Sequence, residues 1–225
     1  MPRLIAVGDI HGQYNKLRNL MDKLEVGPGD ELVFLGDYVD HGPQSADVIE
    51  YLNDQHKYRR WWFIMGDHDS QFLDYLSGGS RDPSWYNQGG RETLESYGWP
   101  NTMIPWDHLD FLKRLSRPIS IQHPFGETEY ILSHGMLSPG RPPRTRFDRW
   151  DALWGGPHVW DRSAYKTKFG SHVNVFGHIP HQGPTWFGQA LDIDTNAATH
   201  GPLTAAILPP TLESNDQVEF LQAGD

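Results

Sequence analysis

Five short apolar runs in this chain each end on side chains that bind metal ions, and that repetition restricts the fold more than any other feature. Leu4 to Val7 leads to Asp9 and His11, Leu32 to Leu35 leads to Asp37, and Trp61 to Met65 leads to Gly66-Asp67-His68. Tyr130 to Leu132 leads to His134, and Val173 to Phe176 leads to Gly177-His178. Runs of that length and composition read as buried strands. Buried strands that repeatedly deliver a ligand at their carboxyl ends describe a metal site along the edge of a sheet.

The chain has 225 residues, enough for one globular domain (1–225) with a sizeable core. Nine Trp, nine Tyr and ten Phe supply apolar area, and 23 Gly with 17 Pro imply tight turns between short elements. A formal charge of −10 argues against nucleic acid as the partner, because a phosphate backbone needs a basic face. No apolar run is long enough for a signal or a membrane span, so no membrane partner is expected. The absence of cysteine excludes thiolate ligands and disulfides and fits a cytoplasmic protein.

Tyr14, Leu17, Leu20, Met21 and Leu24 mark an amphipathic helix, broken by Gly27-Pro28-Gly29-Asp30. Val48, Ile49, Tyr51 and Leu52 mark a second, so residues 4 to 65 read β-α-β-α-β with parallel strands. Residues 69 to 118 carry helical patterns at 72–76, 91–97 and 108–115 and read as a helical insertion near the site. From 119 onward strands dominate: 119–122, 130–133, 173–176, 190–193 and 203–208, with an edge strand at 218–221. The stretch from Ser138 to Lys168, rich in Pro, Arg and Trp, reads as a long functional loop.

Phosphate ester hydrolysis needs a nucleophile at neutral pH, charge neutralisation on the phosphoryl oxygens and a proton for the departing oxygen. Two divalent ions about 3.5–4 Å apart supply the first two. Such a pair needs a ligand touching both ions, and the two-oxygen carboxylate of Asp37 is the natural bridge. Asp9 and His11, two apart at a strand end, are assigned with it to one ion. Asp67, His134 and His178 are assigned with Asp37 to the other. Imidazole and carboxylate without thiolate suit manganese, with iron or zinc as alternatives. His68 follows a ligand directly and is the candidate general acid, and Asp40 is the carboxylate that would keep it charged.

The motifs Gly8-Asp9-Ile10-His11-Gly12, Gly36-Asp37-Tyr38-Val39-Asp40-His41-Gly42, Gly66-Asp67-His68-Asp69, Ser133-His134-Gly135 and Gly177-His178 resemble, in order and spacing, those of the calcineurin-like metallophosphoesterases of the phosphoprotein phosphatase superfamily. The likeness is greatest to the branch of lambda-type protein phosphatases and symmetrical diadenosine tetraphosphatases. Gly89-Gly90-Arg91-Glu92-Thr93-Leu94, Asp151-Ala152-Leu153-Trp154 and Ile193-Asp194-Thr195 extend it to about residue 208. The resemblance implies an α/β fold: a four-layer sandwich of two mixed sheets flanked by helices, with a dinuclear site at the strand ends. It implies the same ligand set and the same His68–Asp40 dyad.

Two positions depart from the family pattern. Asp67 stands where the family has Asn, adding a negative charge beside one ion, and His41 stands where it has an Arg that grips phosphate. A second family arginine falls in the variable stretch, where Arg162 is the candidate, with Arg141, Arg144 and Arg146 as others. His41 and Arg162 are thus the expected substrate-binding residues. Asp69 reads as a helix N-cap, while His56, His108, His123, His158, His172, His181 and His200 read as structural or exposed. Trp150, Trp154 and Trp160 read as packing.

The function expected is hydrolysis of phosphomonoesters, on phosphorylated proteins or small phosphoesters, by in-line attack of a hydroxide shared by two metal ions. Symmetrical hydrolysis of diadenosine tetraphosphate is the alternative, with Arg81, Arg91 and the arginine run as binding groups. A phosphatase-like protein that binds a phosphorylated partner without turnover is the non-enzymatic one.

Overall fold

The computed structural model describes residues 1–58, 61–78, 83–137 and 172–224. Two five-stranded mixed sheets stack face to face. The first is built from β1 (Leu4–Val7), β2 (Glu31–Phe34), β3 (Trp62–Phe63), β9 (Leu203–Leu208) and β10 (Glu219–Ala223), in the order β10-β9-β1-β2-β3. The second contains β4 (Ile119–Gln122), β5 (Glu129–Leu132), β6 (His172–Phe176), β7 (Thr185–Phe187) and β8 (Ala190–Asp192), in the order β4-β5-β6-β8-β7.

β1, β2 and β3 are mutually parallel, as the crossover pattern predicts, and so are β5, β6 and β8. The side-chain period of two divides β1 between cores: Leu4 and Ala6 face the second sheet, and Ile5 and Val7 face the helices. Being buried on both faces explains why this strand is an uninterrupted apolar run. β4, at a sheet edge, alternates instead, with Ile119 and Ile121 packed inward between exposed Ser120 and Gln122.

Helices α1 (Tyr14–Leu24), α2 (Ser45–Tyr58), α3 (Asp67–Leu76), α5 (Arg91–Ser96) and α6 (Trp106–Lys113) pack on the outer face of the first sheet. A one-turn helix, α4 (Pro83–Trp85), runs through a kinked segment, Tyr86–Gly90, where Gln88 and Gly89 leave helical geometry, into α5. Among the described residues no α-helix joins the small apolar clusters on the other side of the second sheet, so three of the four expected layers are described.

Several expectations need correction. β3 is only two residues long, continued by a single bridge between Ile64 and Ser116. β7 was not foreseen, because its three residues are too few for any periodicity; it is a short edge strand paired with β8 across a tight turn at Gly188. Asp69 is not the N-cap of α3: Gly66 caps that helix, and Asp69 is its third residue. The stretch 138–168 lies outside the described residues, and with it Arg162, the other candidate arginines there, Asp151 to Trp154, Trp160 and His158. Arg81 also lies outside them.

Candidate metal centre

The turns following β1, β2, β3, β5 and β6 meet where the ends of the two sheets converge. Asp9, His11, Asp37, Asp67 and His134 are all buried there, and His178 is partly buried. Their ligand atoms fall into two groups: Asp9, His11 and Asp37, and Asp37, Asp67, His134 and His178, all atoms of a group lying within 4.8 Å of one another. Asp37 belongs to both. Its Oδ2 lies 3.4 Å from His11 Nε2 and its Oδ1 lies 3.5 Å from His134 Nε2, so one oxygen faces each group.

The glycines of the motifs allow this convergence. A Cβ on Gly66 would fall 2.0 Å from Asp37 Oδ1, and one on Gly177 would fall 2.0 Å from Asp9 Oδ1. Neither has a positive φ, so close approach rather than backbone freedom requires glycine. The backbone is bent elsewhere: His11, Asp37, Asp40, His41 and His178 all adopt φ between +47° and +74°. Asp and His tolerate that region better than branched residues, and its concentration here follows the tendency of strain to gather at functional sites.

Asp69, missed as a site residue, holds the turn at Asp37, one of these positions. Its fully buried carboxylate accepts the amides of Asp37, Tyr38 and Gly66, each at 2.9 Å. Asp192 and Asp194 were missed as well, although they repeat the original signal, carboxylates at the end of a short apolar run. Burial, then Asp194, a hydrogen bond from His178 in the opposite sense, and Asp192 and Asp67 set Asp9, whose carboxyl is pushed well above its ordinary range.

These residues fit a pair of cations. His11 Nδ1 donates to the Val39 carbonyl at 3.0 Å and His134 Nδ1 to the Leu35 carbonyl at 3.1 Å, which leaves each Nε2 lone pair facing carboxylates. That is the arrangement of metal-ligating histidines, whose second nitrogen is fixed by an outer partner. Burial lowers both imidazoles below their ordinary value and so favours the neutral form a ligand needs. Asp9 Oδ1 is buried without a hydrogen-bond partner. Asp37, like Asp9, is pushed up by burial and then by neighbouring carboxylates, a repulsion that a cation relieves.

Asp67 Oδ1 contacts His134 Nε2 at 2.9 Å and His178 Nδ1 at 3.0 Å. Burial would raise this carboxyl, and the hydrogen bond from His178 acts to lower it.

Outside both groups, His68 Nδ1 donates to Asp40 Oδ2 at 2.7 Å. Burial pushes His68 down, yet the bond to Asp40 and the charges of Asp67 and Asp40 more than offset it and raise the imidazole above its ordinary value. The ring of His41 is exposed and stands 5.0 Å, centroid to centroid, from both His11 and His68. Arg91, by contrast, pairs on the surface with Glu95. Of the other described histidines, His108 is buried between Tyr97 and Glu50, His123 is buried as well, and His56 and His200 are exposed.

Over 209 residues the chain is 36% identical to serine/threonine-protein phosphatase 2 of Escherichia coli (strain K12), covering 88% of this chain and 89% of that one. It is 26% identical to an asymmetrical bis(5'-nucleosyl)-tetraphosphatase of Halalkalibacterium halodurans, covering 90% and 89%. A crystal structure of a protein provisionally assigned as a diadenosine tetraphosphatase superposes with a TM-score of 0.72 at 21% identity, covering 100% of this chain and 97% of the other, and so shares its fold. The model of the calcineurin-like phosphoesterases matches residues 2–205. With paired ligand groups at the sheet ends, that match makes this chain a metallophosphoesterase, a member of the calcineurin-like phosphoesterase family.

Proposed function

We propose that this protein hydrolyses phosphomonoesters, on phosphorylated proteins or small phosphoesters, as a single cytoplasmic domain of residues 1–225. The observation that carries the reading is the carboxylate of Asp37 lying between two ligand groups with the His68–Asp40 dyad beside them. Asp9, His11 and Asp37 would hold one ion, and Asp37, Asp67, His134 and His178 the other. Manganese is the preferred metal, with iron or zinc as alternatives, because the donors are imidazole and carboxylate.

Two such ions supply Lewis acidity to the phosphoryl oxygens and lower the pKa of water. The protein's part is to orient and to move protons. Asp40 holds the proton on His68 Nδ1, so the protonated ring offers Nε2–H to the departing oxygen. The amide of His68 also donates to Asp37 Oδ1 at 3.1 Å, tying the acid's backbone to the shared carboxylate. His41, exposed at the rim, faces the incoming phosphate in place of an arginine, which it replaces as a hydrogen-bond donor without the planar fork. Arg162 is proposed as the second phosphate-binding group.

Hydrolysis of dinucleoside polyphosphates is the second reading, favoured by the likeness to bis(5'-nucleosyl)-tetraphosphatases over 90% of the chain. Manganese-loaded protein should release phosphate from an aryl phosphate and from a phosphopeptide, and Asp37→Asn should abolish both. Inactivity across several divalent ions, or full activity of Asp37→Asn, defeats the proposal. Chromatography of the products from diadenosine tetraphosphate separates the two readings: nucleotide products, diphosphates from a symmetrical cut or a mono- and a triphosphate from an asymmetrical one, support the second, and intact substrate argues against it.

A further inference from the structure

We infer that Trp85 is a positioning residue for this chemistry: its indole N–H, together with the Thr93 hydroxyl, locks the Asp40 carboxylate so that His68 is aimed at the leaving oxygen. The inference rests on the phosphatase reading above. Asp40 is fully buried, and both its oxygens are taken. Oδ2 accepts His68 Nδ1 and Trp85 Nε1, each at 2.7 Å, and Oδ1 accepts Thr93 Oγ1 at 2.7 Å. Thr93 Oγ1 accepts in turn the Asp40 amide at 2.8 Å and lies 3.1 Å from Ser45 Oγ, which donates to it. One group thus grips side chain and backbone of a residue held at φ +72°.

A carboxylate bonded only to His68 could rotate about its terminal torsion, which is broad and soft. Donors on both oxygens remove that freedom, and they satisfy a buried charge that would otherwise be costly. Trp85 is itself immobilised. It stacks on Phe72 (centroids 5.7 Å apart, planes at 18°), touches Tyr75 at 4.7 Å, and covers Gly90, where a Cβ would come within 2.4 Å of the ring.

A kink at Gln88 and Gly89, where the chain leaves helical geometry, explains how two donors from one segment reach one carboxylate. Trp85 precedes it and Thr93 follows it, and within it Gly89, at φ +106°, lies so close to the Asp40–His41 turn that a Cβ would sit 2.6 Å from the His41 amide. Neither Trp85 nor Thr93 belongs to a ligand group, so their influence runs through Asp40 and His68.

In the step concerned, the oxygen of water adds to phosphorus, the ester P–O bond breaks with its electron pair passing to the departing oxygen, and that oxygen takes the proton of His68 Nε2. The proton lost by the attacking water restores the imidazolium by way of solvent, and Asp40 remains a carboxylate throughout. Proton donation matters only when the departing oxygen is basic. Trp85→Phe keeps the stack and deletes one N–H, so it should slow an alkyl phosphate by about tenfold or more in kcat, with KM little changed. Hydrolysis of 2,4-dinitrophenyl phosphate should fall less than about threefold.

Thr93→Val should show the same selectivity and Thr93→Ser should recover it, which guards against misfolding of any one variant. Equal losses on both esters, or none, overturn the inference. If the wild-type protein hydrolyses no ester, the reading above fails while the geometry stays testable by NMR. The Trp85 indole resonance, assigned by its loss in Trp85→Phe, should shift in Asp40→Asn, and an unmoved resonance overturns the inference without reference to turnover.

Discussion

Asp67 shows how much one oxygen-for-nitrogen difference can carry. As a carboxylate it faces His134 and His178 at hydrogen-bond distance, where the family pattern has a neutral Asn. An extra negative charge on the proposed ligand set strengthens metal binding but makes the ion a weaker Lewis acid. Asp67→Asn is therefore expected to bind manganese about tenfold more weakly and to turn over faster at saturating metal. Calorimetric titration with manganese, followed by kcat at saturation, checks both, and equal affinity in the two proteins would rule out this account of Asp67. At this scale the motif residues were legible, because a ligand must have a particular chemistry whatever surrounds it. Asp69 was misread for the converse reason. A carboxylate near a helix start is commonly a cap, and only the fold shows that its acceptors serve the amides of a neighbouring strand's turn.

Among the elements, α1 was legible from its apolar spacing, and its observed limits are Tyr14–Leu24. Its face nevertheless includes a residue the pattern assigns to solvent. Lys16 is buried, and its Nζ donates to the carbonyls of Ala197 and Gly201, both at 3.1 Å, tying the helix to the turn before β9. Lys16→Met would take this donor from one buried and one half-buried carbonyl and is expected to lower stability by about 2 kcal/mol. Urea unfolding measures this, and a loss of under about 0.5 kcal/mol would mean that water replaces the ammonium there. The insertion between β3 and β4 was read correctly as helical and near the site. Its contribution of Trp85 and Thr93 to Asp40 was invisible, since those contacts span 45 and 53 residues of sequence.

For the whole molecule, the two sheets bring buried carboxylates and neutral imidazoles together from turns that begin with Asp9 and end with His178. Burial first and neighbouring carboxylates second raise the proton affinity of Asp9 and Asp37, so this convergence opposes folding until cations bind. A ligand that binds only the folded state stabilises it, by about 2.7 kcal/mol at one hundred times its dissociation constant. Manganese should therefore raise the melting temperature in calorimetry and chelation should reverse the rise. Asp37→Asn should respond far less, as the residue common to both groups, and an equal rise in that variant would place the stabilising metal elsewhere. Among the described residues no helix is long and apolar enough to cross a membrane.

By itself the sequence determined the chemistry and its order along the chain: which strands are buried, which side chains follow them, and that Asp37 has the two oxygens a bridge needs. Those properties are local, set by residue type and by spacing within a few positions. Only the tertiary structure decided that Asp69 supports the Asp37 turn and that Trp85 and Thr93 hold Asp40. These depend on distances between segments far apart in the chain, and such distances are fixed by how the sheets and the helical insertion pack, not by any short run of residues.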